Sequence, residues 1–316
     1  MSIKGEKRMF INLFARCISV AQGITVSVYR WDDVTKLFLA TDTQVYGSCP
    51  AAAVGDLQLR LSACIDDVAR WMRSNRLQLN TDKTELLWCT AARRLHQLPT
   101  TAIRIGPDQI EPSSSVRTLG IQIDSDLTMR SHVQKIVSGC FAVLRQLRSV
   151  RRSVSTAVYQ TLVTALVLPK LDYGNSTLAG LPVCQLNRLQ SVLNAAARSI
   201  AGLRRSDHVS DAMASFHWLR VPERIRFKIA VLTFRALHRT APKYLSDDLR
   251  RIADIPSRGR LRSAATNRLD IRPARRKIGE RAFASAGPRI WNSLPDDIIN
   301  CQSLPVFRRK LKTHLF

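Results

Sequence analysis

The chain has 316 residues, of which 45% are hydrophobic, so it can bury a substantial core, and this composition excludes a globally disordered protein. It carries 49 Lys and Arg against 24 Asp and Glu, and a formal charge of +25 favours polyanionic partners, with nucleic acid first among them. The excess lies in the second part, since residues 1–125 hold 15 basic and 12 acidic residues whereas residues 126–316 hold 34 and 12. Composition alone leaves open a basic surface that is merely solvated.

Cysteine usage and hydropathy bear on the compartment. Seven cysteines are scattered without a CxxC pair, which suggests neither a zinc knuckle nor a disulfide framework. No apolar run reaches the roughly 18 residues that a membrane span requires. From these features we expect an intracellular protein, nuclear or cytoplasmic and not secreted, without a membrane partner.

The first part of the chain reads as strands with one helix. In LATDTQVYGSCP, residues 39–50, alternation on both sides of Asp42 predicts a tight β-hairpin with this carboxylate at its turn. Residues 54–72 carry apolar side chains at helical spacing, Trp71 included, which predicts an amphipathic helix. Residues 80–82 predict a turn before a strand at 86–89, and residues 101–110 predict a hairpin about Gly106. Residues 116–124 predict one alternating strand, in which Gly120 marks a bulge or a close approach of another backbone.

After Asp126 the apolar period changes from two to about 3.6 residues, which predicts a helical bundle. Its helices are expected over residues 133–147, over 156–168 with a stop at Pro169, over 186–200 with closure at Gly202, and over 225–236 with closure at Pro242. Residues 254–290 are rich in Arg, Pro and Gly, which predicts a loosely ordered basic connector.

Several strings point to a known family. DTQVYGSCP resembles the segment after the catalytic Tyr-Ala-Asp-Asp box in reverse transcriptases of LINE-type (non-LTR) retrotransposons, the jockey and chicken-repeat relatives in particular. NTDKTELLWC is similar to the next palm motif and VRTLGIQID to the primer grip of these enzymes. LDYGNS and HWLRVPERIRFKIAVLTFRALH resemble their thumb, and AGPRIWNSLPDDI resembles the end of these proteins. The resemblance extends from about residue 40 to residue 316.

The resemblance implies an α+β fold in which a partial palm, an antiparallel sheet with a helix, precedes a mainly α-helical thumb-like bundle. The implied divisions are an unassigned segment at residues 1–38, the partial palm at 39–125, the thumb-like domain at 126–250, and a basic connector with a C-terminal extension at 251–316. It also implies that the natural C-terminus is intact and that the N-terminal part, with the fingers and the first catalytic aspartate, is lost.

The implied catalytic site is degenerate. When the sequence is aligned with the Tyr-Ala-Asp-Asp box of the family, Asp42 matches the second aspartate and Thr41 replaces the first. Lys83 matches a lysine that lies near the incoming nucleotide in the family. From the residues alone, Lys83 reads as a surface lysine in a turn. The family polymerises DNA with two Mg²⁺ ions, which carboxylates from separate strands must hold. Because Asp42 alone remains as a metal ligand, we expect no Mg²⁺ to be bound and no polymerisation.

The resemblance and the charge imply RNA, DNA or an RNA–DNA hybrid as partner, bound without sequence preference. Gly120 in the primer-grip string and five arginines at predicted helix ends are the expected contacts: Arg148, Arg151, Arg152, Arg204 and Arg205. The sequence thus indicates an inactive remnant of an RNA-directed DNA polymerase. Two alternatives stay open: an active reverse transcriptase completed by the missing N-terminal sequence, and a domesticated helical interaction protein.

Overall fold

Helices and strands are segregated along the chain, as in an α+β protein. A computed structural model describes residues 7–17, 28–31, 34–39, 42–256, 267–273 and 278–316. The chain divides into two compact units, residues 1–132 and residues 133–316. Strands dominate the described part of the first unit and helices that of the second.

A six-stranded sheet forms the centre of the first unit. Its order is β2-β3-β4-β1-β5-β8, with antiparallel neighbours except for the parallel pair β5–β8, and two hairpins, β6–β7 and β9–β10, accompany it. The helix α1 (Val54–Ser74) lies between β4 and β5 in the chain. The strands are β1 (Lys7–Cys17), β2 (Val28–Trp31), β3 (Val34–Leu39), β4 (Asp42–Cys49), β5 (Leu77–Cys89), β6 (Ile103–Ile105), β7 (Asp108–Ile110), β8 (Pro112–Ser113), β9 (Ser115–Thr118) and β10 (Ile121–Asp124).

The predicted helix over residues 54–72 is confirmed as α1, which packs on one face of this sheet. Its stripe of Leu57, Leu61, Cys64, Ile65, Val68 and Met72 is buried with β5 residues Leu86 and Trp88. Trp71 is an exception, because its side chain is 52% exposed and does not belong to the buried stripe. Strand alternation sends the neighbours Leu87 and Cys89 into a second small core with Val116.

The predicted hairpins over residues 39–50 and 101–110 are confirmed as β3–β4 and β6–β7. The predicted turn at residues 80–82 is wrong, since these residues belong to β5. The pairing with β1 is nevertheless irregular there, because Asn12 pairs with Glu85 whereas Phe14 pairs with Asn80. Residues 81–84 therefore bulge out of the ladder, so the turn-forming residues bend the strand without ending it.

The single strand predicted over residues 116–124 is also wrong. These residues form the β9–β10 hairpin, in which Thr118 pairs with Ile121. Leu119 and Gly120 make the turn with φ angles of 46° and 81°. Two-residue hairpin turns of type I′ need positive φ at both central residues, which glycine adopts at no steric cost. Gly120 thus closes a turn and does not form a bulge within a strand.

Ten helices build the described part of the second unit. They are α2 (Arg130–Val150), which begins in the last residues of the first unit, α3 (Thr156–Leu166), α4 (Leu168–Asp172), α5 (Val183–Ala201), α6 (Ser210–Ser215), α7 (Val221–Leu237), α8 (Lys243–Asp247), α9 (Phe283–Asn292), α10 (Asp296–Ile299) and α11 (Leu304–Leu315).

The predicted stripes are confirmed in α2, α5 and α7, and Gly202 caps α5 at a φ of 70°. The helix predicted over residues 156–168 is instead two helices. Pro169 lies in the first turn of α4, where its missing N–H costs no helical hydrogen bond.

One aromatic core joins α7 to the last three helices. Phe234, Trp291 and Phe307 contact each other, with ring centroids 4.5 to 6.5 Å apart. The loosely ordered connector predicted over residues 254–290 is wrong for its described residues, because Leu269 is fully buried in this core and α9 starts at Phe283. The Asn292 side chain holds Leu269 by donating to its carbonyl oxygen and accepting from its N–H, at 2.7 and 2.9 Å. Residues 257–266 and 274–277 of the connector lie outside the described residues.

Candidate nucleic-acid interface

The sheet brings the strand of Asp42 close to that of Lys83. Asp42 opens β4 and pairs with Phe14 of β1, and Phe14 pairs in turn with Asn80 of β5. Two strand spacings thus separate the backbones of Asp42 and Asn80, about 10 Å. Lys83 follows on the bulge, is exposed, and the Thr84 hydroxyl closes the bulge by donating to the Asn80 carbonyl at 2.9 Å. Thr41 lies outside the described residues.

The strands that pair with Asp42, β1 and β3, contain no acidic residue that could complete a two-metal site with it. A pair of Mg²⁺ ions requires carboxylates from separate strands. The strand between Asp42 and the bulge is β1, and its sequence KRMFINLFARC contains no acidic residue. Among the side chains that the structure describes, no group of three His, Cys, Asp or Glu could hold a metal ion.

The buried carboxylate of Asp124, at the end of β10, accepts hydrogen bonds from the start of the next helix. Its Oδ2 accepts from the Ser131 N–H at 3.1 Å and from the Thr128 hydroxyl at 3.4 Å. Ser131 belongs to the first turn of α2, where unpaired N–H groups and the helix dipole favour an anion. Asp124 therefore caps α2, while Gly120 lies exposed at the tip of the hairpin before it.

Arg151 joins the end of α2 to the end of α5. Its guanidinium donates through Nη1 to the carbonyl oxygen of Ser199 and through both Nη atoms to that of Ile200, at 3.4 Å. The same guanidinium lies 4.9 Å from the centre of the Tyr159 ring, and the Tyr159 hydroxyl contacts the Ser199 hydroxyl at 2.6 Å. A cation at the C-terminus of a helix neutralises unpaired carbonyl groups and the negative end of the dipole. Arg151 is thus an internal clamp.

This clamp links the two segments that carry four exposed arginines. Arg148 and Arg152 flank Arg151 in the chain, and Arg204 and Arg205 follow Ile200 within five residues. The loop that carries Arg204 and Arg205 is fixed as well, because the Asp207 carboxylate accepts a hydrogen bond from the Arg204 N–H at 2.7 Å. We call Arg148, Arg152, Arg204 and Arg205 the arginine surface. Residues 148 and 205, far apart in the chain, thus contribute to one end of the bundle.

One acid, Asp207, lies in the loop of the arginine surface, and its carboxylate accepts a hydrogen bond from the backbone N–H of Arg204. Across the described part of the chain, none of the four guanidinium groups of the arginine surface forms an ion pair. Acidic side chains of the second unit pair with other cations, as in Asp172–Arg224, Asp296–Arg268, Asp297–Lys310 and Glu280–Arg289. The helices α2, α3 and α5 contain no acidic residue in their sequences. The surface therefore carries an excess of positive charge, with four arginines against Asp207, and this excess favours an anionic partner.

Two positioning residues were not apparent from the sequence. Arg198 donates from Nη2 and Nε to the Asp207 carbonyl oxygen, at 3.1 and 3.3 Å, and so orders the loop that carries Arg204 and Arg205. Tyr159 supports the clamp through its ring and its hydroxyl. Their partners lie 9 and 40 residues away, and no local pattern reports such contacts. The only sequence signal is a tyrosine on the apolar face of α3.

The free thiol of Cys140 offers no reactive group. It is fully buried in α2, and this burial raises its pKa to about 11 against the opposing influence of Lys170. The thiolate is the nucleophilic form, so Cys140 stays protonated and inert at neutral pH.

Arg151 and Arg152 differ in role although they are neighbours. Replacing Arg151 by alanine removes its hydrogen bonds to the last carbonyl groups of α5 and its cation–π contact, and we expect it to destabilise the second unit by about 1–3 kcal/mol. Replacing the exposed Arg152 by alanine should change the free energy of unfolding by less than about 0.5 kcal/mol. Urea unfolding followed by circular dichroism compares the two variants. Equal stabilities would show that the clamp is not needed.

Comparisons with known proteins do not assign this chain to a family. No helix in the described ranges combines the length and the hydropathy that crossing a bilayer requires. Neither a protein-family model, nor a curated protein, nor a solved structure matches this chain.

Proposed function

We propose that the chain is a remnant of a LINE-type retrotransposon reverse transcriptase that binds nucleic acid through backbone phosphates and does not polymerise DNA. The observation that carries the binding is the arginine surface, where the Arg151 clamp links two segments with four exposed arginines that form no ion pair within the described residues. The polymerase ancestry is supported by the motif strings, which extend over most of the chain.

The arrangement of the cations favours phosphate over base contacts. Arg148 and Arg152 lie at the end of one helix, and Arg204 and Arg205 lie in a loop, so the four do not line one helix face that could enter a groove. Exposed guanidinium groups are suited to bidentate contacts with phosphate oxygens. Contacts of this kind fix the position of a duplex without reading its sequence. Titration of unrelated labelled duplexes at several salt concentrations tests the proposal.

We infer the absence of polymerisation from the carboxylate ligands that a two-metal site would need and that these strands lack. The box that resembles the catalytic motif has Thr41 in place of an aspartate, and the neighbouring β1 supplies no carboxylate in its sequence. Purified protein should therefore show no primer extension with Mg²⁺ or Mn²⁺ on a poly(A) template. The variant Thr41→Asp should remain inactive, because it restores one ligand and not the ligand from the neighbouring strand.

A primer-extension gel or labelled-nucleotide incorporation gives the measurement, with an active reverse transcriptase as positive control. Template-dependent incorporation by the wild type would favour the alternative of an active enzyme. Incorporation by Thr41→Asp alone would show that the remaining site is otherwise complete.

A helical interaction protein is a second candidate that one observation favours. Apolar side chains are exposed on or near three neighbouring helices of the second unit, most of all Val183 at 70%. The others are Val158, Leu166 and Tyr173. Contiguous exposed apolar patches mark protein interfaces, and a patch of these side chains would suit such a partner. If this is the function, micromolar duplex should not bind at physiological salt, which is the opposite of the outcome expected for the arginine surface.

A further inference from the structure

The helix α11 is firmly held on the second unit. Phe307 and Leu311 are fully buried, and the Phe307 ring stacks on Phe234 and Trp291 at centroid distances of 4.5 and 5.7 Å. These contacts fix the rotation of the helix about its axis. The side chains opposite to Phe307 therefore have a defined orientation toward solvent.

This outer face is cationic. Arg309, Lys312 and Phe316 follow each other at three- and four-residue spacing, so they share one side of the helix, and Arg308 is adjacent to it. The sequence of α11 contains no acidic residue. Lys310 points to another side and pairs with Asp297 at 3.2 Å. The outer face therefore keeps its charge, whereas the charge of Lys310 is compensated.

Two exposed aromatic rings, those of Phe316 and His217, lie at the C-terminal end of this face. The Phe316 side chain is 59% exposed, although phenylalanine is usually buried, and the exposed His217 lies beside it with ring centroids 6.3 Å apart. The backbone N–H of Phe316 still donates to the Lys312 carbonyl oxygen at 3.1 Å, which continues the helical turn. An aromatic group is therefore held next to a row of cations.

We propose that this face, Arg308, Arg309, Lys312, Phe316 and His217, is a binding site for single-stranded nucleic acid. Cations that follow the phosphates together with an exposed ring on which a base stacks are the two components of sequence-tolerant single-strand binding. A duplex keeps its bases stacked within the helix and cannot use the ring in this way. This site is separate in residues and in ligand from the arginine surface, and it does not require that surface to bind.

The test uses the full chain, a labelled oligouridylate of about 12 nucleotides, and a labelled duplex, followed by fluorescence anisotropy. Phe316→Ala should weaken oligouridylate binding about fivefold or more and leave duplex binding unchanged, since the ring serves only unstacked bases. Phe316→Trp should restore the affinity. Arg309→Gln should reduce the salt slope for the oligouridylate by about 0.7, whereas the matched control Lys310→Gln should leave it unchanged.

The outcomes separate the two sites. Loss of duplex binding on mutation of the arginine surface, with oligouridylate binding intact, supports two independent sites. Oligouridylate binding that depends on Phe316 and Arg309 in a protein that does not bind duplex would overturn the proposed duplex binding alone. Unchanged oligouridylate affinity in Phe316→Ala, or equal effects of Arg309→Gln and Lys310→Gln, would overturn the single-strand site. All positions are exposed, so unfolding curves of the variants should match the wild type.

Discussion

Replacing Arg148, Arg152, Arg204 and Arg205 together by glutamine is expected to flatten the salt dependence of duplex binding. Each phosphate contact contributes about 0.9 to the slope of log affinity against log salt concentration, so the loss of four contacts should reduce the slope by about three to four. Unrelated duplex sequences should lose affinity to the same degree, because phosphates carry no sequence information. Fluorescence anisotropy at three or more salt concentrations gives both quantities.

A charge-matched control distinguishes a specific binding site from the effect of overall net charge. The variant with Lys228, Arg239, Lys243 and Arg250 replaced by glutamine loses four exposed cations of the same unit and reaches the same net charge. It should retain most of the wild-type slope. If both fourfold variants lose affinity equally, the binding comes from overall charge and the arginine surface is not a site. A wild type that binds no duplex even at low salt would overturn the proposed function.

Replacing Phe307 by alanine is expected to cause the largest loss of stability. Its ring is fully buried and stacks on two other aromatic rings. Removing a buried phenylalanine costs about 3–5 kcal/mol through lost burial and the cavity that remains. For a unit of this size the midpoint of thermal unfolding should fall by about 10 °C. Circular dichroism of the helical signal records the transition.

Phe316→Ala is the matched control for this prediction, since it removes the same ring from the end of the same helix, where the ring is exposed. It should change the midpoint by no more than a few degrees. If Phe307→Ala unfolds like the wild type, the last helices do not share the core of α7. The same comparison shows whether Phe316 is free to serve a ligand.

Much of the local structure follows from the sequence. Amphipathic stripes determine α1, α2, α5 and α7, because a helix in a compact unit must bury its apolar side chains on one face. The β3–β4 hairpin follows from alternation on both sides of Asp42. The central strand β1 was not assigned from the sequence, although its residues from Met9 to Phe14 are apolar except for Asn12, a composition that is typical of a buried strand.

One residue type can suit several local structures, so local residue preferences alone do not choose between a turn and a bulge. Glycine at position 120 suits a bulge, a close approach and a hairpin turn, and the pairing of Thr118 with Ile121 decides for the turn. Asn80, Thr81 and Asp82 favour a turn, yet β1 pairs with Asn80 and Glu85, and this pairing keeps Thr81 and Asp82 within β5 as a bulge. In both cases the flanking residues pair with a partner strand, and this pairing settles the backbone conformation between them.

The sequence by itself determined the charge of the second unit, its helical character and the residue types available for phosphate contacts. Only the tertiary structure decided which cations act together. Arg151, Arg148 and Arg152 appear equivalent in the chain, but the carbonyl groups at the end of α5 take up Arg151 and leave the other two exposed. Likewise, the burial of Phe307 orients Arg309 and Phe316 toward solvent. A side chain's role depends on which distant groups satisfy its charge or cover its apolar surface, and those contacts exist only after the chain has folded.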